Sequence, residues 1–505
     1  SGPSDPSRPA SASPPGATRA SFAPTASSLR TRSPYDLPVL VTLLLVAALV
    51  RVHGLSVGGL WLDEGYSLLQ SERSFADILA LRRYDANPPL YVLLLHAWRV
   101  AFGPGVRAAQ AFSVTFGIAG VALVWLVTRL RFGSIAALAA GLTVALSRFH
   151  VHYSQEIRGY ALLFALVAAA DLAYVRFELR GRTRDLVAWT IAAIAAVATH
   201  TFAWWVLGVH ALLAERRRPL RIALGVVLLA SVPLWVSLVE HLTTFKSQAW
   251  ITAPDAQGLV QVLWVLGGCG PIALVTWALA LLGLVGHVAA RLPALLTRDA
   301  ALPGWRTAVV PAAQLALPFV VFVLSVTVLP MLVERYLLLS LLPLAGLAGA
   351  GVAALRIPAA RVVLLVALVA LSVGPLQDEA TTASRTDVSR EIAALLQSEY
   401  RPGDVVLYTS KFDFAPMVAQ HPATMEEYLL PEIAGEEFST VLLHSTQRRV
   451  RRDVPQRGTY RRLWLVRRTG DVPEDIAASD WFRALEPELA WQHPSELLLR
   501  FDLPQ

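Results

Sequence analysis

The sequence predicts an α-helical polytopic membrane protein of about eleven spans, followed by a small soluble α/β domain. Three observations carry that expectation. Apolar runs recur from residue 37 to residue 376, and a span needs about 20 apolar residues. Of the 505 residues, 55% are hydrophobic and only 16% are charged, where soluble domains hold about a quarter charged. The arginine clusters between the runs also fall on one side of a membrane.

In chain order, residues 1–36 are rich in Ser, Pro, Ala and Arg without apolar periodicity. They are expected to form a disordered cytoplasmic tail. The apolar runs are 37–53, 107–129, 133–149, 159–176, 185–199, 201–214, 219–239, 257–286, 306–330, 336–355 and 359–376. Arginines gather in RLRF (129–132), RFELRGRTR (176–184), ERRRPLR (215–221), the 291–306 loop and RIPAAR (356–361). Cytoplasmic loops carry the excess of basic residues, so eleven spans put all five clusters and the N-terminus inside. Residues 185–214 must cross twice to keep that parity, as two short helices with Trp204 and Trp205 beside His200 at the outer bend.

The segment 54–107 then lies outside, and it is too long for a plain connector. Its pieces WLDEGYSLLQ, FADILALRRY and PPLYVLLLHAWRVAFG each read as an amphipathic helix along the outer surface, the third started by Pro88-Pro89. The membrane domain is expected to end at residue 377. Residues 378–505 form the soluble domain, with a helix at EIAALLQSEY and strands at DVVLYTS, TVLLHS, RLWLVRR and ELLLRFDL. Span parity places it outside a plasma (inner) membrane. Cys269 is the only cysteine, which excludes an intrachain disulfide and a zinc–thiolate cluster.

Unusual polar residues gather at the outer face, where each ionisable one is expensive unless it meets a cavity or a partner. They are Asp63, Glu64, Arg82, Arg83 and Asp85 in the first loop, and His150, His152, Gln155, Glu156 and Arg158 in HVHYSQEIRGY. His200 follows in ATHTFAWW, then Glu240, His241 and Lys246, and finally Glu334 and Arg335 in VERYLLLSLLPL. The blander readings are specific. Arg158 and Arg335 could snorkel to headgroups, Glu156 could pair with an arginine at a helix end, and Lys246 could be a plain loop cation. His150 and His152 could hold a metal or simply sit at the interface. The Asp63-Glu64 pair is harder to dismiss, because no Arg or Lys occurs between Arg51 and Arg73. Neighbours on a helix point about 100° apart, so one carboxylate can face a cavity while the other binds backbone or a distant arginine. A carboxylate aimed into a half-dry cavity can act as a general base.

Four stretches, WLDEGYS, DANPPLYVLLLHAW, HVHYSQEIRGYALL and ERYLLLSLLPL, with ATHTFAWW, resemble in order the C-type (GT-C) membrane glycosyltransferases that use polyprenyl-phosphate sugars. The aminoarabinose transferases and protein O-mannosyltransferases are the nearer branches. The resemblance spans about residues 38–355. It implies a base at Asp63 with Glu64 as neighbour and a further acidic position at Asp85. It also implies a phosphate site among Arg158, Arg335, Lys246 and Tyr336, and a pocket drawn from Tyr66, Gln155, Glu156, Tyr160, His200 and Glu334. Relatives often carry Lys directly before the Pro-Pro pair, where Asn87 stands here. Some relatives use a divalent metal such as magnesium or manganese, for which His150 and His152 are the candidates.

The implied reaction is direct displacement at the sugar's anomeric carbon, with polyprenyl phosphate leaving and the acceptor proton passing to Asp63. The implied partners are a polyprenyl-phosphate-sugar donor, a lipid, polysaccharide or protein acceptor, and membrane lipids, with no nucleic acid. A lipid-linked glycan flippase or a polysaccharide ligase is the alternative. A flippase predicts charge at mid-membrane and an internal repeat, and neither is seen in the sequence.

Overall fold

A computed structural model describes residues 33–53, 55, 59–81, 85, 87–244, 251–289, 306–385, 388–421, 424–429, 459–468, 488–492 and 496–503. Lys246, Arg82, Arg83 and the TVLLHS strand expected at 440–445 lie outside those residues. Among the described residues, seven helices are long and apolar enough to cross a membrane, or eight if the bent pair Ser134–Ala145 and Arg148–Gln155 is one span. The chain is a multi-pass membrane protein.

The helices in order are α1 (Asp36–Val52), α2 (Leu62–Ser71), α3 (Phe75–Leu81), α4 (Leu90–Phe102), α5 (Val106–Phe132), α6 (Ser134–Ala145), α7 (Arg148–Gln155) and α8 (Tyr160–Arg180). They continue through α9 (Thr183–Val197), α10 (Ala203–Leu213), α11 (Arg217–Thr244), α12 (Ala256–Gly267) and α13 (Gly270–Ala289). Arg306–Leu315, Leu317–Thr327, the 3₁₀ turn Glu334–Ser340, Leu341–Ala354 and Pro358–Arg385 complete the membrane part. The three amphipathic pieces of the first loop are thus α2, α3 and α4. Residues 185–214 form α9 and α10, a hairpin in which the Trp189 indole donates to His210 Nδ1 at 3.1 Å. His210 also meets Asp171 at 2.9 Å and Arg131 pairs with Asp171 at 2.6 Å, tying α5, α8 and α10 together.

Two apolar runs are broken. Between α6 and α7 the axis bends by 57°, and the break leaves carbonyls in the interior. Arg51, fully buried at the end of α1, answers them. Its Nη1 donates to the Ala47 and Ala145 carbonyls (3.1 and 3.0 Å), and its Nη2 to the Val144 carbonyl (3.1 Å) and His150 Nδ1 (2.7 Å). Between α12 and α13, Gly268, Cys269 and Gly270 take φ of 113°, 63° and 58°, a left-handed stop that a non-glycine such as Cys269 rarely adopts. Small residues let α13 close on Leu341–Ala354: a Cβ on Gly283 would strike the Leu347 carbonyl, and one on Gly351 the Leu279 carbonyl.

Pro358–Arg385 continues through the boundary expected at 377/378. Beyond it lie Val388–Glu399, β1 (Asp404–Tyr408), the helix Lys411–Val418, β2 (Glu427–Leu429), β3 (Arg462–Arg468), β4 (Glu488–Gln492) and β5 (Glu496–Asp502). The sheet order is β2-β1-β3-β5-β4. β1 runs parallel to β2 and β3, while β5 runs antiparallel to β3 and β4. Val388–Glu399, β1, β3 and β5 fall on stretches read from the sequence; β2, β4 and Lys411–Val418 were not expected. This domain packs directly on α2, so it shares a face of the molecule with the first loop.

Candidate active site

α2 is short, and its sequence divides it into three stripes by the helical 100° step. Asp63, Ser67 and Gln70 follow i, i+4, i+7 on one face. Leu62, Tyr66 and Leu69 form the second, and Glu64, Leu68 and Ser71 the third. Each stripe meets a different neighbour.

The polar stripe faces two arginines and a cavity. Asp63 Oδ2 lies 3.9 Å from Arg158 Nη2 and 4.0 Å from Arg335 Nη2. Arg158 Nη1 donates to Ser67 Oγ at 3.3 Å, and the Arg158 side chain also bonds Tyr160. Arg335 lies over the rings of Trp61 (5.3 Å) and Tyr336 (5.5 Å), a cation–π arrangement that keeps its guanidinium at the site. Asp63 and the Tyr160 ring oppose Arg158 and push its pKa up despite burial.

Beside Arg158 opens a cavity of about 570 Å³, solvent-connected, with Gln70, Asp85, Tyr160, His200 and Tyr91 in its wall. Gln70 Nε2 donates to Asp85 Oδ2 at 3.1 Å. Asn87 donates twice to Asp85 Oδ1, from its backbone and side-chain nitrogens, at 2.8 Å each. The site before the Pro-Pro pair is therefore occupied by a neutral amide held on a carboxylate. The His200 Nδ1 accepts from Phe202 N at 3.2 Å, and its ring lies 5.0 Å from Tyr336. Burial, then Arg158 and Arg335, push the His200 pKa down to about 4, so it is a neutral imidazole. A second cavity of about 400 Å³ adjoins the first across Asp85, Asn87, Pro88 and Pro89. Its further walls are mainly apolar, with Trp204, Leu234, Trp235 and Leu238 from α10 and α11 beside Thr201 and Ser237.

Several residues expected at the site are elsewhere. Glu64 is buried under α2: its Oε1 accepts from Ile157 N (2.9 Å) and its Oε2 from Trp61 N (3.2 Å). The second bond caps the start of the helix. Burial, then the nearby Glu156, push the Glu64 pKa up to about 8. Tyr66 packs in a core shared with the C-terminal domain. Gln155 closes the end of α1 by donating to the Arg51 and His53 carbonyls, both at 3.0 Å. Glu156 bonds His152 at 3.1 Å, and His152 also meets Glu379 at 2.6 Å. Glu334 bonds Gln261 on α12.

His150 and His152 belong to separate networks, one on Arg51 and one on Glu156 and Glu379. Among the described residues no three His, Cys, Asp or Glu side chains gather to hold a metal. Ser67, Gln70 and Trp61 were missed from the sequence. The i, i+4, i+7 repeat from Asp63 was the signal that could have found the first two.

No protein-family model and no curated protein matches the sequence. Among solved structures, ArnT from Cupriavidus metallidurans in the apo state is similar over 92% of this chain and 98% of that chain, with a TM-score of 0.61 and 17% identity. The same protein bound to undecaprenyl phosphate gives a TM-score of 0.57 and 16% identity over 93% and 98%. The archaeal oligosaccharyltransferase AglB from Archaeoglobus fulgidus, in complex with an inhibitory peptide and a dolichol-phosphate, gives 0.51 and 11% over 86% and 70%. The chain has the fold of these proteins.

Proposed function

We propose that the protein transfers a sugar from a polyprenyl-phosphate donor to an acceptor hydroxyl at the outer membrane face, with Asp63 as general base. The observation that carries this reading is one carboxylate shared by two arginines, one of which, Arg158, lines a cavity adjoining a mainly apolar groove. A lipid phosphate suits such a place: its charge meets Arg158 and Arg335, and its chain has the apolar groove beside α11. The ArnT structure with undecaprenyl phosphate supports the same class of ligand.

In the reaction, the acceptor oxygen attacks the anomeric carbon as the carbon–oxygen bond to phosphate breaks. The bonding pair leaves with the polyprenyl phosphate, and the acceptor proton goes to Asp63. Charge grows on the departing phosphate, where fixed cations in a sheltered site stabilise it. Asp63 and the phosphate compete for the same two guanidiniums. A donor that engages Arg158 and Arg335 therefore frees the carboxylate to accept a proton, which couples donor binding to activation of the base.

Asp63→Asn separates the two roles. In reconstituted protein, turnover with a polyprenyl-phosphate sugar should fall at least about a hundredfold, within the range of a lost general base. Affinity for polyprenyl phosphate should rise, because the competing anion is gone. Near-normal turnover contradicts the base, and weaker lipid phosphate binding contradicts the competition.

A further inference from the structure

We propose that the C-terminal α/β domain positions the candidate base, and that Gly65 is the positioning residue through which it acts. This inference rests on the function proposed above. It gives a role to a domain that contributes no residue to the cavity wall among the described residues.

α2 has ten residues, and helices shorter than about 12–15 residues are marginal without tertiary contacts. Its three faces divide that support. The Asp63 face must stay open to substrate. The Glu64 face is held by the membrane domain, through Ile157 N and through Arg99, whose Nη1 donates to the Leu68 carbonyl at 2.8 Å and to Ser71 Oγ at 2.6 Å. The third face belongs to the C-terminal domain: Leu62, Tyr66 and Leu69 share one core with Ile392, Leu396, Tyr408 and Phe414.

Gly65 sits where α2 crosses Lys411–Val418. A Cβ there would lie 2.5 Å from the Ala415 carbonyl carbon and from Pro416 N, and 2.6 Å from the Ala415 oxygen. These are backbone atoms, so no rotamer change relieves the clash. Any side chain at 65 must push α2 and the domain apart. Asp63 is two residues away on the same rigid turn, whereas Arg158 and Arg335 are carried by other segments. Displacing α2 therefore moves the base relative to the segments that carry the two arginines, although their guanidiniums also touch α2 at Ser67 and its N-cap at Trp61.

The test uses the full chain in lipid nanodiscs, with Gly65→Leu and, in case that variant does not fold, Phe414→Ala on the domain side. Both should speed amide hydrogen exchange across α2. Both should cut turnover at least tenfold without weakening affinity for polyprenyl phosphate, which rises where Asp63 withdraws from the arginines. Unchanged α2 exchange in a folded variant overturns the structural inference whatever the enzyme does. Wild-type turnover with loosened α2 overturns the positioning role, and a parallel loss of lipid phosphate affinity shows general damage and overturns it as well. A wild-type protein that transfers no sugar sinks the function proposed above, while the exchange measurement still reads the support of α2.

Discussion

At the scale of single residues, the charged pair in α2 splits into two jobs. Asp63 faces the arginines, and Glu64 faces backbone donors beneath the helix. The sequence marked the pair because no cation lies near it in the chain, but rotation of α2 about its axis decides which carboxylate reaches the arginines. That rotation is set by contacts with the C-terminal domain and the α7–α8 turn, which no local pattern reveals. Tyr66 was misjudged for the same reason. Arg158→Ala and Arg335→Ala should each weaken polyprenyl phosphate binding roughly ten- to a hundredfold, as expected for a lost charge-assisted bond of about 1.5–3 kcal/mol. Titration of the lipid phosphate against each variant checks this, and unchanged affinity means that the arginine only anchors at the headgroups.

The same residues predict a pH effect. Glu64, raised to about 8, contributes stability that is present below its unfolded value near 4.5 and is lost as pH rises through 8. His200, lowered to about 4, acts in the opposite sense: it contributes stability present above its unfolded value near 6.5, lost as pH falls through 4. The two effects offset each other below pH 6.5, and of these two groups only Glu64 changes above it. Stability should therefore fall as pH rises from 6.5 to 8. Glu156→Gln removes a neighbouring carboxylate and should shrink that fall, as read by thermal unfolding at fixed ionic strength. An equal or larger fall in the variant contradicts the assignment.

At the scale of elements, the helical runs were legible because lipid-facing and buried positions are both apolar. The breaks within them were not. The sequence reading used Arg51 only as the last cation before the charged pair. In the structure its guanidinium collects carbonyls released by the α6–α7 bend. Arg51→Ala leaves several buried acceptors and His150 without their donor, and should cost about 3 kcal/mol. Thermal unfolding in detergent measures it; a loss under about 1 kcal/mol would mean that the bend holds itself. The break at Gly268–Cys269–Gly270 had a visible signal, two glycines flanking a cysteine within a long apolar run, and the sequence reading passed through it.

At the scale of the whole molecule, charge bias between the runs predicted that the first loop and the C-terminal domain share one face. The structure brings them into contact through α2. That contact is not legible in the sequence, because the apolar stripe Leu62, Tyr66, Leu69 looks like any membrane-facing stripe until its partner is known. Which face is outside is testable. Ser398, exposed on Val388–Glu399, can be replaced by Cys in a Cys269→Gly background, glycine being suited to the left-handed backbone at 269. An impermeant thiol reagent should label Ser398→Cys in intact cells, and protection until lysis would reverse the orientation.

The central claim is that a lipid phosphate occupies the arginine pair beside Asp63. Native mass spectrometry of the protein loaded with polyprenyl phosphate tests it most directly. One lipid phosphate should remain bound to wild type and to Asp63→Asn, and be lost from the Arg158→Ala, Arg335→Ala double variant. Retention by the folded double variant, or no binding by wild type, would contradict the account.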